Sequence, residues 1–175
     1  MNEELRNTKT LNNLATAFAG ESQAHAKYKM FAAVARKEGH HAIARIFDAT
    51  AENELYHAKM WLRHMGQLGD TLSNLKKAAE GENYEWTDMY AQMSKDALDE
   101  GQAKISAEMK LIGQIEKDHE TRYNEFISHL EKGTLYARDK EVTWECLNCG
   151  FNHKGKSAPQ ACPACAHPQG WFTVV

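Results

Sequence analysis

Polar residues interrupt two apolar stripes of this chain at matching places. Around the stretch Ala51-Glu52-Asn53-Glu54-Leu55-Tyr56-His57 the positions at helical spacing are Ile43, Ile46, Thr50, Glu54, His57, Trp61 and Met65. A second series runs Ile105, Met109, Ile112, Glu116, His119, Tyr123, Phe126 and Leu130. Both recur every 3.5 to 3.6 residues, about the period of a helix that buries one face. Each places a glutamate and a histidine three residues apart, so both side chains address one point on that face.

The same periodicity predicts four long helices. The first covers about Leu11 to Lys37, with Leu11, Leu14, Phe18, Glu21, His25, Tyr28 and Ala32 inward, and Gly39 ends it. The second runs from about His40 to Met65 and closes at Gly66. Gly66, Gly69 and Gly81 mark a connection, within which Leu72, Leu75, Ala78 and Ala79 still keep helical spacing. The third helix carries Glu82, Glu85, Met89, Met93 and Ala97 before Gly101, and the fourth extends to Glu131 with Gly133 as its stop. A shift of 62 residues carries Glu54 onto Glu116 and His57 onto His119, and brings Glu21 within one residue of Glu82. The chain therefore reads as a degenerate duplication of a two-helix unit.

From Glu141 onward the helical period is lost. All three prolines lie in this tail, and β-type runs such as Val142-Thr143-Trp144 and Trp171-Phe172-Thr173-Val174-Val175 flank cysteines. The expected fold class is mainly α, a four-helix bundle over residues 1–140 followed by a small β-rich domain over 141–175.

At 175 residues and 42% hydrophobic, the chain holds one sizeable core and a small satellite. A net charge of -3, with no basic cluster interleaved with aromatics, excludes an electrostatic case for nucleic acid. The opening Met-Asn-Glu-Glu-Leu-Arg has no apolar run, and no stretch is long enough to span a bilayer, so a cytoplasmic location without membrane contact is expected.

The ligand-type residues collected from the four helices are Glu21, Glu54, His57, Glu82, Glu85, Glu116 and His119. A single Glu-x-x-His pair is ordinarily solvated. Four helices that all set such residues on their apolar stripe point elsewhere, because buried carboxylates are costly until a cation neutralises them. One Glu from each of two helices plus Glu-x-x-His from two others is the di-metal carboxylate arrangement of ferritin-like bundles, here one Glu richer. Oxygen ligands with imidazole suit iron or manganese. His25, His40, His41, His64 and His129 read as ordinary surface or partly buried histidines.

All four cysteines fall in the tail as Cys146-x2-Cys149-x12-Cys162-x2-Cys165. In a reducing compartment this spacing argues for four thiolates around one ion rather than disulfides. Spacing alone leaves zinc and iron both open. A redox-inert zinc would give an oxidised bundle centre no electron source, which favours iron.

Over essentially its whole length the chain resembles a rubrerythrin. The resemblance rests on Ala17-Phe18-Ala19-Gly20-Glu21-Ser22-Gln23-Ala24, Glu54-Leu-Tyr-His57-Ala-Lys, Gly81-Glu82-Asn-Tyr-Glu85-Trp-Thr-Asp-Met-Tyr90, Glu116-Lys-Asp-His119-Glu and the cysteine tail. It implies two irons in the bundle, bridged by Glu54 and Glu116, with Glu21, Glu82 and His119 terminal. His57 and Glu85 become alternative ligands that exchange with redox state, and a third iron sits in a rubredoxin-like site of four cysteines. Tyr28 and Tyr90 match family tyrosines and stand as hydrogen-bond partners of the carboxylates or as core tyrosines. Ala166 departs from the commonest knuckle, which has Gly there, and should strain a turn of positive φ. Trp144 and Trp171 are expected to pack the small core.

The implied activity is reduction of hydrogen peroxide to water. Electrons would come from NAD(P)H through a separate reductase or a rubredoxin, since the chain has no Gly-rich dinucleotide fingerprint. Two rivals are a ferroxidase or iron-handling protein built on the same bundle, and a zinc-stapled interaction module, which would be colourless.

Chain length adds a topological expectation. In a ferritin-like bundle the second and third helices run parallel, so the chain must pass from about 14 Å above the metal level to about 15 Å below it. Five or six linking residues reach only about 20 Å. Residues 67–80 must unwind into a crossover, or a homodimer must exchange helix pairs. The helical reading of Thr71 to Glu80 favours exchange.

Overall fold

Helix ends and their glycines set the architecture. The computed structural model describes residues 3–175. Helix α1 spans Lys9–Lys37 and α2 spans His41–His64. Helix α3 spans Thr71–Tyr84, a π-helical segment covers Glu85–Met89, α4 spans Tyr90–Asp99 and α5 spans Ala103–Glu131. Strands β1 (Ala137–Cys146), β2 (Asn152–Ser157) and β3 (Phe172–Val174) form an antiparallel sheet in the order β2-β1-β3. Contacts divide the chain into two units, one ending at Asp70 and one beginning at Thr71.

The four glycines that sequence reads as stops, Gly39, Gly66, Gly101 and Gly133, all have positive φ, between 64° and 83°. After α1, Gly39 N–H donates to Arg36 C=O at 3.1 Å and His40 N–H to Ala35 C=O at 2.8 Å. After α4, Gly101 N–H donates to Leu98 C=O at 3.0 Å and Gln102 N–H to Ala97 C=O at 2.7 Å. This is the Schellman pattern, repeated at a shift of 62 residues, and it satisfies carbonyls that the helix leaves open. At the other end of α1, Thr8 Oγ1 accepts from Leu11 N–H at 3.1 Å, which caps the helix.

Gly81 does not break the chain. It lies inside α3, where a Cβ would meet nothing within 4 Å, so a helix of good formers tolerates it. The third helix therefore begins at Thr71, and residues 71–80 are not an unwound crossover.

Within each helix pair the tight contact runs through small residues. Ala32, Ala35, Ala44, Ala51 and Ala58 are buried in the first unit, with Phe47 packed beside three of them. Ser94, Ala97 and Ser106 are buried in the second, where Ser106 Oγ donates to Ser94 C=O at 2.6 Å. The large residues of the expected apolar stripes lie off this line. Ile46 is 67% exposed, Ile105 45% and Phe126 45%. Small residues let two backbones approach, and the bulky ones lie outside that contact.

The tail has its own core of Trp144, Cys146, Ala158, Cys162 and Phe172. Trp144 is buried, donates its indole N–H to Gly155 C=O at 3.0 Å, and carries the Arg138 guanidinium 5.3 Å from its ring centre. Trp171 behaves otherwise than expected: it is partly exposed and meets His167 edge to face at 4.8 Å.

Adding a side chain at Gly101 should lower stability by about 1–2 kcal/mol, because φ is positive there. Gly81→Ala should instead raise it by about 0.5–1 kcal/mol. Thermal unfolding of the two variants should shift in opposite directions.

Candidate metal centres

Helix spacing delivers the acidic side chains in trios. In the first unit Glu21 on α1 meets Glu54 and His57 on α2, with donor atoms within 4.8 Å of one another. His57 Nδ1 stands 3.0 Å from Glu54 Oε2 and 3.8 Å from Glu21 Oε2. In the second unit Glu82 on α3 meets Glu116 and His119 on α5 within the same limit. His119 Nδ1 stands 2.8 Å from Glu116 Oε2 and 3.6 Å from Glu82 Oε2. The two trios are near copies, as the repeat in sequence requires.

Without a cation such a trio is under electrostatic stress. Burial raises the Glu82 carboxyl above its usual range, and a hydrogen bond shared with Glu116 and the charges of Glu116 and Glu85 push the same way, against His119. Two carboxylates that close need either a shared proton or a positive ion. Burial, then Glu116 and Glu85, likewise raises Tyr90, which puts its hydroxyl within their field. Tyr28, its counterpart, packs its ring on Phe31 and Phe47 with centroids 6.2 and 6.1 Å apart. His25 stays outside the trio and uses Nδ1 against Ala51 C=O at 2.8 Å, tying α1 to α2.

The fourth acidic residue of the second unit has a backbone origin. Gly39 and Gly101, Ala44 and Ser106, Ala51 and Gly113, and Tyr28 and Tyr90 are all 62 residues apart, but Glu21 and Glu82 only 61. The register changes across the π-helical turn Glu85–Met89, where Tyr90 N–H donates to Glu85 C=O, five residues back. A π turn holds one residue more than the α-helix it interrupts. That residue leaves the trio in place and adds Glu85 on the same stretch, where the first unit has only Gln23 or Ala24. Thr87 Oγ1 donates to Asn83 C=O at 2.7 Å across the irregular register. Periodicity missed this turn; its trace in sequence is the one-residue offset of Glu82.

The cysteines converge in a different geometry. All four Sγ atoms lie within 4.8 Å of one another. Cys146 and Cys165 are 3.8 Å apart and Cys149 and Cys162 3.6 Å. Disulfides would need about 2.05 Å, whereas a tetrahedral ion with metal–sulfur bonds near 2.3 Å has a sulfur–sulfur edge of about 3.8 Å. Each knuckle closes in the same way: Gly150 N–H donates to Cys146 C=O and Ala166 N–H to Cys162 C=O, both at 2.8 Å. Gly150 and Ala166 have φ of 73° and 61°, so Ala166 occupies the left-handed turn expected of it.

Two of the thiols are shifted in opposite directions. The His167 N–H, ahead of smaller contacts from other thiols, lowers Cys165 to about 6. At Cys149 the Phe151 N–H acts downward, but hydrogen bonding with Cys165 and loss of solvation lift it to about 12. The first proton leaves readily and the last is held by neighbouring negative sulfur.

Helix pairs that present carboxylate–histidine trios, joined to a four-thiolate module, define a non-haem metalloprotein of the di-metal carboxylate class. The family model for rubrerythrin matches residues 12–127, and that for the rubredoxin-like domain of rubrerythrin matches 144–173. Rubrerythrin-1 of Clostridium acetobutylicum is 42% identical over 99% of this chain and 97% of its own. A rubrerythrin of Porphyromonas gingivalis is 43% identical over 98% of this chain and 92% of its own. Among solved structures, a nigerythrin in a mixed-valence state is 34% identical, covers 95% of this chain and 86% of that one, and has a TM-score of 0.37. The chain belongs to the rubrerythrin family. Its cysteine cluster is the site of one iron, and its carboxylate and histidine clusters are those of a di-iron pair. Among the described residues no helix is long and apolar enough to cross a membrane.

Ala166→Gly should relieve about 1 kcal/mol of backbone strain, read as slower loss of the thiolate-bound iron to a chelator. Cys149→Ser should abolish the visible ferric-thiolate absorption while the bundle keeps its iron.

Proposed function

We propose that this protein reduces hydrogen peroxide to water at a two-iron centre that the Cys146, Cys149, Cys162 and Cys165 iron re-reduces. The observation that carries the reading is the pairing of two matched Glu/Glu/His trios with a four-thiolate cluster in one chain. Bound there, an iron pair supplies one electron from each ion, so that hydrogen peroxide, two electrons and two protons give two waters. Glu54 and Glu116 would hold the pair as shared ligands, Glu21, Glu82 and His119 would each serve one ion, and His57 and Glu85 would be alternative ligands. A carboxylate suits the ferric state and a neutral imidazole the ferrous one. Tyr90, whose hydroxyl lies in the field of Glu116 and Glu85, is placed to hand on protons. A ferroxidase would have no use for the thiolate module. The division of labour follows the chain, with the bundle in residues 1–140 and the electron carrier in 141–175. A separate rubredoxin or NAD(P)H-dependent reductase is the donor, acting in the cytoplasm.

The working form is a homodimer with exchanged helix pairs. Each unit holds three of the trio ligands and leaves bulky apolar residues exposed. From His57 to His64 and from Thr71 to Glu82 the helices climb about 27 Å in all. The six residues between them reach about 24 Å, too little to bring both trios to one level in a single-chain bundle. In the exchanged dimer, Glu21, Glu54 and His57 of one chain meet Glu82, Glu85, Glu116 and His119 of the other.

Anaerobic titration of the reduced, iron-loaded protein with hydrogen peroxide should reoxidise the bundle rapidly at one peroxide per pair, and Glu54→Ala and Glu116→Ala should each abolish this. Brisk oxygen uptake with indifference to peroxide would overturn the reading in favour of a ferroxidase. Co-refolding those two inactive variants tests the exchange. Mixed dimers would regain one intact centre, about a quarter of all centres in an equal mixture, whereas unexchanged dimers would regain none.

A further inference from the structure

The π turn that carries Glu85 is gripped from both sides by one carboxylate that has no part in the trios. Glu120 Oε2 accepts from Trp86 Nε1 at 2.6 Å, and Asn83 Nδ2 reaches Oε1 at 3.1 Å and Oε2 at 3.2 Å. Asn124 Nδ2 adds a longer bond to Oε1 at 3.5 Å. Lys117 Nζ lies 5.0 Å from the centre of the Trp86 ring, which fixes the other face of the indole. Asn83 belongs to α3, Trp86 to the π turn, and Glu120, Asn124 and Lys117 to α5. Glu120 follows His119 directly, so its side chain leaves the helix about 100° around from the imidazole.

The duplication supplies an internal control. Sixty-two residues before Glu120 stands Ala58, which accepts no side-chain hydrogen bond. Asn83 corresponds to Ser22, whose hydroxyl donates to Phe18 C=O, and Trp86 falls against Ala24 or His25. Among its described residues the first unit has no such clamp, and its α1 is an unbroken α-helix from Lys9 to Lys37. The clamp and the π turn occur in the same unit. An unfavoured backbone register persists only where the surroundings over-determine it. Two charge-assisted hydrogen bonds from residues flanking Glu85 do that here.

We propose that Glu120 is a positioning residue which, through Asn83 and Trp86, locks the π turn and aims Glu85 at the metal cluster. The proposal rests on the reading of Glu85 as a ligand, and the test separates the two. Full-length, iron-loaded wild type, Glu120→Ala, Glu120→Gln, Trp86→Phe and Glu85→Ala are compared by amide hydrogen exchange and by the reduction potentials of the bundle and thiolate irons. Glu120→Ala should speed exchange across residues 86–90 by about tenfold or more, leave α2 unchanged, and move the bundle potential in the direction that Glu85→Ala moves it. The thiolate iron should keep its potential. Glu120→Gln, which still accepts from both donors, should retain most of the protection. Trp86→Phe removes only the 2.6 Å bond and should give a smaller change of the same sign, so the test survives if Glu120→Ala does not fold. Wild-type exchange in both Glu120→Ala and Trp86→Phe, or faster exchange with a wild-type bundle potential, would overturn the proposal. An unchanged potential in Glu85→Ala would remove Glu85 from the ligand set, while the exchange data would still decide whether Glu120 holds the turn.

Discussion

Carboxylates cannot be gathered on the inner side of a helical protein without an answer to their mutual repulsion. Burial and the neighbouring Glu116 raise the Glu82 carboxyl, and Glu21 and Glu54 are gathered with a histidine in the same way. Each histidine faces two carboxylates through one nitrogen. A multivalent cation resolves this as no internal ion pair can, because it neutralises several anions at once and accepts the imidazole as well. The four thiols repeat the problem in sulfur, where an easily lost proton at Cys165 and a tightly held one at Cys149 are the signs of negative charge crowded into one place.

Duplication explains why the answer has two halves. Each half is a helix pair closed by a glycine turn and packed through small side chains, and each brings two glutamates and a histidine together. Equivalent halves would give equivalent ligands to both ions. The π turn breaks that equivalence at small covalent cost: a single residue more on one helix supplies Glu85 without displacing Glu82 or Tyr90 from register.

Packing and chemistry divide the side chains between them. Alanine and serine draw the helices of a pair together, while Ile46, Ile105 and Phe126 stay exposed. In water such residues are an unfavourable surface. The tail does not share this dependence. Trp144, Ala158 and Phe172 form its own core with Cys146 and Cys162, so the residues that hold its ion also hold its fold.

Much of this was legible in the chain alone. Four helices, their glycine stops, the trio ligands and the four cysteines follow from periodicity, from positive-φ chemistry and from spacing, all of which are local. Even the strain at Ala166 follows from knowing what a knuckle turn requires. Three things needed the tertiary structure. Periodicity could not show that Gly81 sits inside a helix or that Trp171 stays partly exposed, because neighbours decide both. It could not show which face of each helix is buried, since alanines and isoleucines one position apart serve the stripe equally well. Nor could it show the π turn or its clamp: Glu120 and Trp86 are 34 residues apart and meet only once α3 and α5 have packed. Local patterns record what a residue prefers; a hydrogen bond between distant helices exists only after the chain has brought them together.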